Sequence, residues 1–332
     1  MSIHEYDNNM KSDEEFIIGD ISFLVEGNCC RLLDGRRTTG IIEKYFEDSA
    51  MFRWRITKYE DSGKYWDLPA ENIKSFQFER SSNRLSKRNV KEINELIKKY
   101  ENEIIIKANS KDRYDAEREI ERAKESAKQW MEVNSLFLKD EGKIDFSSCE
   151  GSKLLAKDLI GYMESIGMAE EERKTAEIMV LNPNSGEWIK GMSIILAEMG
   201  LVSYHGKGPR TKDIFKGLGE KENRRKYLIN RLAFIRAYFS ILDIKEIVLY
   251  RGMSSEKQWK RIHRTYLPCT FNLEVAKAFS DFDRESKYKV SYLVKMSCSV
   301  EKLFMTYLET DSMNRQYKES EALLLYDSRI EL

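Results

Sequence analysis

The chain has 332 residues, more than one average domain, so two folded units are expected. Its 56 Lys and Arg residues balance 56 Asp and Glu residues, and this neutrality excludes a uniformly basic nucleic-acid binder and a polyacidic protein. Hydrophobic residues at 41% and aromatic residues at 11% are sufficient for folded cores, so disorder is not expected over the whole chain.

The cysteine and histidine content argues against a disulfide framework and a metal centre. The five cysteines show no CxxC spacing, and the three histidines stand in no HExxH motif or near a cysteine pair. The first fifteen residues are polar and acidic, unlike a signal peptide, and no run approaches about 18 consecutive apolar residues. We therefore expect no metal, no membrane partner and a cytoplasmic location.

The N-terminal part of the chain is predicted to be a β-rich domain. Residues 1–15 have the composition of a disordered tail, and residues 16–80 contain short strands separated by turns at Asp34-Gly35 and Asp61-Ser62-Gly63. From Phe52 to Ile56, apolar residues alternate with polar ones, as in a half-buried strand. About five strands in about sixty residues are typical of a small SH3- or Tudor-like β-barrel.

Three aromatic residues in this predicted barrel have two interpretations. They form either a recognition surface for a peptide, a modified residue or a nucleic acid, or part of the barrel core. Core packing is the preferred interpretation for Trp54, Tyr65 and Trp66.

Residues 81–140 have the pattern of a helical connector. Val90, Ile93 and Ile97 follow helical spacing, and charges of both signs occupy the positions between the apolar residues. A break near Ala108-Asn109-Ser110 predicts a helical hairpin. The charges are interpreted as a solvated face, without chemistry of their own.

Residues 141–332 show helices first and strands later, which indicates an α+β domain. The predicted helices are Lys153–Ile166, Ala169–Val180, Gly186–Met199, Arg224–Leu242, Glu256–Tyr266 and Glu274–Ser280. The predicted strands are Ile244–Tyr250, Lys289–Val300 and Ala322–Tyr326. No phosphate-binding glycine loop occurs in a strand-to-helix context.

Three short motifs stand in a suggestive order in this domain. A predicted strand ends in Tyr250-Arg251-Gly252, the segment Pro268-Cys269-Thr270 leads into a helix, and Glu319-Ser320-Glu321 precedes the last strand. In this order they resemble the aromatic-Arg-Gly, Ser-Thr-Ser and E-x-E motifs of the Arg–Ser–Glu class of mono-ADP-ribosyltransferases. The resemblance covers roughly residues 180–332 and implies an ADP-ribosyltransferase-like fold with NAD as co-substrate and no metal.

The resemblance assigns a role to each of three charged residues. Glu321 is expected to bind the NAD ribose and to stabilise the oxocarbenium-like cation formed when nicotinamide leaves. Glu319 is expected to bind the acceptor and to orient or deprotonate its nucleophile. Arg251 is expected to hold the pyrophosphate by bidentate hydrogen bonds, which Lys would make less well.

Further residues follow from the same resemblance. Tyr317 is expected at the acceptor, and the expected NAD-contacting residues are Tyr250, Gly252, Cys269, Thr270, Phe279, Tyr227 and Asn230. The chain departs from the family where Pro268-Cys269-Thr270 replaces Ser-Thr-Ser, because only Thr270 retains a hydroxyl to support the catalytic carboxylate.

The acceptor is a macromolecule, and two classes remain open. In the resembled family an E-x-E loop usually accompanies arginine acceptors, whereas some relatives, including toxins of phage-defence toxin–antitoxin modules, modify nucleic-acid bases. Residues 205–264 carry sixteen Lys or Arg and six Asp or Glu, a basic excess that suits a polyanion such as RNA. The alternative is that these charges, which include Arg224-Arg225-Lys226, pair with acids elsewhere in the fold.

Two functions are therefore predicted. The first is a mono-ADP-ribosyltransferase acting as an intracellular toxin or effector, with an antitoxin or inhibitor protein as a further partner. The second is a non-catalytic binding protein on a degenerate transferase fold, which the Pro268-Cys269-Thr270 departure favours.

Overall fold

The chain divides into two compact units, Met1–Asn102 and Glu103–Leu332, each with its own core. The computed structural model describes residues 15–33, 38–57, 62–101, 103–140, 144–146, 152–181, 186–210, 214–255, 264–281, 290–314 and 318–326. Helices and antiparallel sheets occur together, which confirms the predicted α+β class.

The first unit is built on a six-stranded antiparallel sheet. The strands are β1 (Phe16–Ile18), β2 (Cys29–Leu32), β3 (Thr39–Phe46), β4 (Met51–Ile56), β5 (Tyr65–Pro69) and β6 (Phe76–Glu79). They are ordered β1-β6-β2-β3-β4-β5. β1 has three residues and pairs with β6, and among the described residues no pairing joins β1 to β5. The ladder is therefore not closed into the predicted barrel.

The core of the first unit follows from the alternation in β4. Phe52, Trp54 and Ile56 are buried, and the Trp54 ring packs edge-on against Phe76. A helix, α1 (Lys87–Tyr100), begins at Ser86, whose hydroxyl oxygen accepts a hydrogen bond from the Asn89 amide. Two isoleucines one turn apart on α1, Ile93 and Ile97, complete the same core.

The predicted helical hairpin is interrupted by a strand. β7 (Glu103–Ile106) separates α1 from α2 (Ser110–Asn134) and pairs with β8 (Tyr204–Lys207). Asn109 caps α2 by accepting a hydrogen bond from the Asp112 amide. The two helices of the predicted connector therefore lie in different units, α1 in the first and α2 in the second.

The second unit surrounds a five-stranded antiparallel sheet ordered β11-β9-β10-β13-β12. Its remaining helices are α3 (Leu136–Lys139), α4 (Lys153–Ser165), α5 (Ala169–Leu181), α6 (Glu187–Glu198), α7 (Lys221–Ile241) and α8 (Leu273–Asp281). The sheet strands are β9 (Glu246–Ser255), β10 (Tyr266–Thr270), β11 (Val290–Ser299), β12 (Leu303–Thr306) and β13 (Glu321–Leu325).

Most of the predicted elements of this unit are confirmed, but one predicted helix differs and the strands β8, β10 and β12 were not predicted. The predicted helix Glu256–Tyr266 is wrong at its end, because Tyr266 begins β10; residues 256–263 lie outside the described part of the chain. β12 was not predicted, and all four of its residues are buried, so the strand carries no apolar–polar alternation. α7 is the central helix, with buried residues on nearly all of its sides. In the described residues no helix is both long and apolar enough to cross a membrane.

Candidate active site

The three sequence motifs meet in one row across adjacent strands. Thr270 at the end of β10 is the Cα partner of Tyr250 in β9 and of Glu321 in β13. Antiparallel pairing therefore brings together residues that are 71 positions apart at the extremes, Tyr250 and Glu321. The row places the aromatic-Arg-Gly strand, the threonine and the E-x-E segment at one site.

A glycine allows helix α8 to lie directly on this row. A Cβ atom at Gly252 would overlap the carbonyl oxygen of Ala276 in α8, so only glycine permits this approach. Ser254 fixes the other end of the contact, since its hydroxyl donates to the carbonyl oxygens of Phe279 and Ser280, each 2.9 Å away. Phe279 itself is 45% exposed. The helix therefore presents an aromatic ring to solvent beside the strand that carries Arg251.

Arg251 is a half-buried cation on β9. Its guanidinium donates to the carbonyl oxygen of Pro268, and its Nε lies 3.2 Å from the Met253 sulfur. Burial lowers the pKa of Arg251, and the nearby Cys269 and Glu321 oppose this shift. Within the described residues Arg251 makes no ion pair with a carboxylate. A guanidinium in this state is suited to an anionic ligand group.

Glu321 is the carboxyl group of the row, and its pKa is strongly raised. Burial and the neighbouring charge of Glu319 raise its pKa to about 7, while Arg251 lowers it. In the described part of the chain its carboxylate accepts no hydrogen bond. At neutral pH the group is therefore divided between its acid and its carboxylate form, which is typical of a residue that takes part in chemistry.

The turn between the two glutamates is held through its main chain. Ser320 adopts a left-handed conformation, with φ of 47°. The Thr270 hydroxyl donates to the Glu319 carbonyl oxygen at 2.5 Å, the Phe271 amide donates to the Ser320 carbonyl oxygen at 3.0 Å, and the Ser320 amide donates to Asn314 Oδ1 at 3.0 Å. The hydroxyl expected to support the Glu321 carboxylate thus supports the Glu319 peptide instead.

Cys269 and Thr270, which stand where the family has its threonine and second serine, are both buried, and neither offers a free donor to a ligand. Cys269 is 5% exposed, and burial raises the pKa of its thiol to about 12, against the opposing charge of Arg251. The thiol is therefore neutral. Thr270 Oγ1 also accepts a hydrogen bond from the Asn272 amide at 3.0 Å, so both sides of its hydroxyl are engaged.

Of the two α7 residues predicted to contact NAD, one is buried and the other is half-buried. Tyr227 is fully buried, and its hydroxyl donates to Glu172 at 2.8 Å. Asn230 accepts a hydrogen bond from the Tyr162 hydroxyl and donates to the Lys226 carbonyl oxygen. The Tyr227 hydroxyl and the Asn230 side-chain amide are thus both engaged by other protein groups. Tyr317, predicted at the acceptor, lies outside the described residues.

Several arginines of the basic segment, residues 205–264, are buried and do not contribute to the surface. Arg224 is 1% exposed and stacks on Trp188, with 4.0 Å from its guanidinium carbon to the ring centre. Arg225 makes a bidentate pair with Glu119, and the buried Arg236 pairs with Glu117. The prediction of a surface cluster Arg224-Arg225-Lys226 is therefore wrong for Arg224, because this side chain is buried against Trp188. Lys257, Lys260 and Arg261 lie outside the described residues.

The aromatic residues of the first unit divide between core and surface. Trp54 is fully buried, as the preferred interpretation expects, and Trp66 packs edge-on against it. Tyr65 is 54% exposed, and the Arg53 guanidinium carbon lies 4.1 Å from its ring centre. An aromatic–cation pair therefore stands on β4 and β5.

Comparisons of the chain with protein-family models, with curated proteins and with solved structures gave no match. Among the described residues no group of three or more His, Cys, Asp or Glu is arranged to hold a metal ion. The site is therefore interpreted from its own geometry: a cation, two neighbouring carboxyl groups and an exposed aromatic ring around one row of a sheet.

Proposed function

We propose that the second unit is an ADP-ribosyltransferase-like domain that transfers ADP-ribose from NAD to a macromolecule, as a toxin or effector. The observation that carries the proposal is the pairing of Thr270 with both Tyr250 and Glu321. Three motifs recognised by their order in the sequence occupy one row, as a single active site requires. Two further observations are the raised pKa of Glu321 and the half-buried Arg251, which makes no ion pair with a carboxylate among the described residues; they add the charges that cleavage of NAD needs.

The residues of the site have complementary tasks in this reaction. Arg251 holds the pyrophosphate of NAD, and the ionised Glu321 stabilises the positive charge that develops on the ribose. The bond between ribose C1 and the nicotinamide nitrogen breaks, and nicotinamide leaves with the electron pair. The acceptor nitrogen then bonds to C1 and loses its proton, for which Glu319 is the proposed base. Glu321 acts as carboxylate, so activity increases as pH rises through about 7.

A protein arginine side chain is the proposed acceptor. Two neighbouring carboxyl groups, Glu319 and Glu321, suit a cationic guanidinium. The electrostatic argument for RNA is weakened because Arg224, Arg231 and Arg236 of the basic segment are buried. RNA modification is the competing outcome of the experiment below.

The test uses labelled NAD and a total cell lysate. Wild-type protein is expected to release nicotinamide and to attach label that protease removes and ribonuclease does not. Glu321→Gln is expected to lower the rate by about 10²–10³ or more, since it removes one pre-organised charge. Glu177→Gln, an exposed glutamate on α5, is the matched control and is expected to retain activity. Ribonuclease-sensitive label would make RNA the acceptor, and label unchanged in Glu321→Gln would contradict the proposal.

The second candidate is a non-catalytic binding protein on the same fold. It is favoured by the neutral, buried Cys269 and by the engagement of the Thr270 hydroxyl with the main chain, so that no hydroxyl in the described part of the chain donates to Glu321. This candidate predicts NAD binding without nicotinamide release. Turnover of NAD by the purified wild-type chain eliminates it.

For the first unit we propose a role in partner binding through an SH3- or Tudor-like sheet. The support is the exposed Tyr65 with Arg53 stacked on it, next to the half-buried Trp66. Loss of target labelling in Tyr65→Ala, with unchanged release of nicotinamide from NAD, is the expected result. Unchanged labelling would leave this unit without a role in target choice.

A further inference from the structure

The segment that carries the glutamate pair is held by groups outside it. Glu319 and Glu321 flank Ser320. Three main-chain groups between the two glutamate side chains make hydrogen bonds: the Glu319 carbonyl, the Ser320 amide and the Ser320 carbonyl. Two of the three partners are Thr270, the last residue of β10, and Phe271, which follows it. The third is a side chain, Asn314, which binds the Ser320 amide.

Asn314 is the last residue of a short 3-10 turn, Asp311–Asn314, which is anchored to the core. The turn follows Thr310, whose carbonyl oxygen accepts a hydrogen bond from the Met313 amide. Thr310 and Glu309 both bind the fully buried Arg231, at 2.8 Å each. The Asn314 side chain is thus presented from a rigid support, which is the condition for a residue that fixes a neighbouring loop.

The bond from Asn314 falls on the one residue of the segment whose conformation is unfavourable. Ser320 has φ of 47°, in the left-handed region, which a non-glycine residue keeps only when its surroundings impose it. Its hydroxyl is buried and makes no hydrogen bond among the described residues. The serine side chain therefore does not hold the conformation, and the main-chain bonds must.

We propose that Asn314 is a positioning residue that, through the Ser320 amide, holds Ser320 in its left-handed conformation and so sets the two glutamate side chains beside each other. The proposal rests on the proposed function for its catalytic consequence. Its structural content, the relative placement of Glu319 and Glu321, is independent of any activity.

The placement has an electrostatic signature at Glu321. The charged or titratable groups that act on it are Glu319 from its own segment and Arg251 from β9. Cys269 on β10 and Arg264 act on Arg251 in turn. Glu319 raises the pKa of Glu321, whereas Arg251 lowers it, so movement of Glu319 away from Glu321 lowers the pKa. Release of Ser320 into an ordinary conformation is expected to move Glu319 in this way.

The experiment follows the carboxyl titration of Glu321 by NMR in protein with ¹³C-labelled glutamate, the signal being assigned by its loss in Glu321→Gln. Asn314→Ala is expected to lower the midpoint by about one pH unit, in the same direction as Glu319→Gln, which removes the neighbouring charge outright. Asn314→Asp retains the accepting oxygen and is expected not to lower it. An Asn314→Ala midpoint equal to the wild-type value would overturn the proposal.

Two additions keep this test decisive. If Asn314→Ala does not fold, Asn314→Ser replaces it, because the shorter serine side chain does not reach the Ser320 amide. If neither variant folds, Asn314 is a structural residue and the proposal is overturned. In activity assays, Asn314→Ala is expected to lower kcat by about tenfold to a hundredfold with a nearly unchanged KM for NAD. Wild-type protein without NAD turnover would contradict the proposed function, while the titration would still test the placement.

Discussion

The second unit contains two clusters of the same composition, one closed and one open. In the closed cluster, the carboxylates of Glu172 and Glu309 lie 3.2 and 2.8 Å from nitrogens of Arg231, and all three side chains are at most 3% exposed. In the open cluster, Glu319 and Arg251 both act electrostatically on Glu321, and all three residues are half-buried. Each cluster has two carboxyl groups and one guanidinium.

The clusters differ in how the carboxylates are satisfied. Glu172 receives the Tyr227 hydroxyl, and Glu309 receives the amide and hydroxyl of Thr306. In the described part of the chain Glu321 receives no hydrogen bond, and Arg251 donates to a main-chain carbonyl rather than to a carboxylate. The carboxylates of the closed cluster are thus hydrogen-bonded, although Nε and Nη1 of Arg231 make no hydrogen bond among the described residues. Hydrogen-bonded carboxylates stabilise a fixed ion pair, whereas a site that binds a charged substrate must leave part of its charge unmatched.

The largest expected effect tests the closed cluster. Arg231→Met leaves Glu172 and Glu309 buried without a cation, and we expect a loss of about 3–5 kcal/mol in the free energy of unfolding. Urea unfolding at pH 7 measures it. The matched control is Arg225→Met, which breaks the partly exposed pair with Glu119 and is expected to cost about 1 kcal/mol or less. Equal losses in the two variants would remove the distinction between a buried and a surface pair.

The next effect tests the open cluster by its pH dependence. The pKa of Glu321 is raised by folding from its ordinary 4.5 to about 7, so the folded state binds the proton more tightly than the unfolded state. Stability from this group is complete below about pH 4.5 and is lost as pH rises through about 7, a decrease of about 3 kcal/mol. Glu321→Gln, which is neutral throughout, removes this decrease and is expected to be the more stable protein at pH 8.

The measurement is thermal or urea unfolding of both proteins at pH 4.5, 6 and 8, with Glu177→Gln as a control that retains the wild-type slope. A variant that is both inactive and more stable would identify Glu321 as a residue kept for chemistry at the expense of stability. If Glu321→Gln is less stable than wild type at pH 8, Glu321 has a structural role like that of Glu309.

The sequence predicted those parts of the second unit whose signals are local. The alternation in Lys289–Val300 corresponds to β11, Val290–Ser299, and the periodic run Lys153–Ile166 corresponds to α4, Lys153–Ser165. The order of three motifs was sufficient to select Thr270 and Glu321, which the fold places side by side. The alternation of apolar residues and the order of the motifs are therefore sufficient to predict which residues lie near Thr270.

Features that depend on distant partners were not predictable. The partner of Arg231, Glu309, is 78 positions away, so the sequence shows a cation without showing that it is buried. β12 is buried on both faces and lacks the alternation of a surface strand. Asn314 lies in no recognisable motif. Its proposed role depends on the left-handed conformation of Ser320, which cannot be predicted from the presence of a serine. The supporting residues of the site therefore required the three-dimensional structure.

The smallest expected effect concerns the strain in the open cluster. Ser320→Gly permits the left-handed conformation freely and removes a buried hydroxyl that has no hydrogen-bond partner among the described residues. The added freedom of the unfolded chain opposes both gains. We expect a net stabilisation of about 0.5–1 kcal/mol and near wild-type activity, because Asn314 still holds the Ser320 amide.

Ser126→Gly supplies the matched control, because Ser126 lies in the interior of α2, where glycine is expected to destabilise by about 0.5–1 kcal/mol. Urea unfolding of the two variants therefore gives changes of opposite sign if Ser320 is strained. The same sign in both would mean that the left-handed turn costs the folded state nothing. The open cluster would then differ from the closed one only in its unmatched charge. The hydrogen bonds to the Ser320 main chain would not be needed to stabilise an unfavourable conformation.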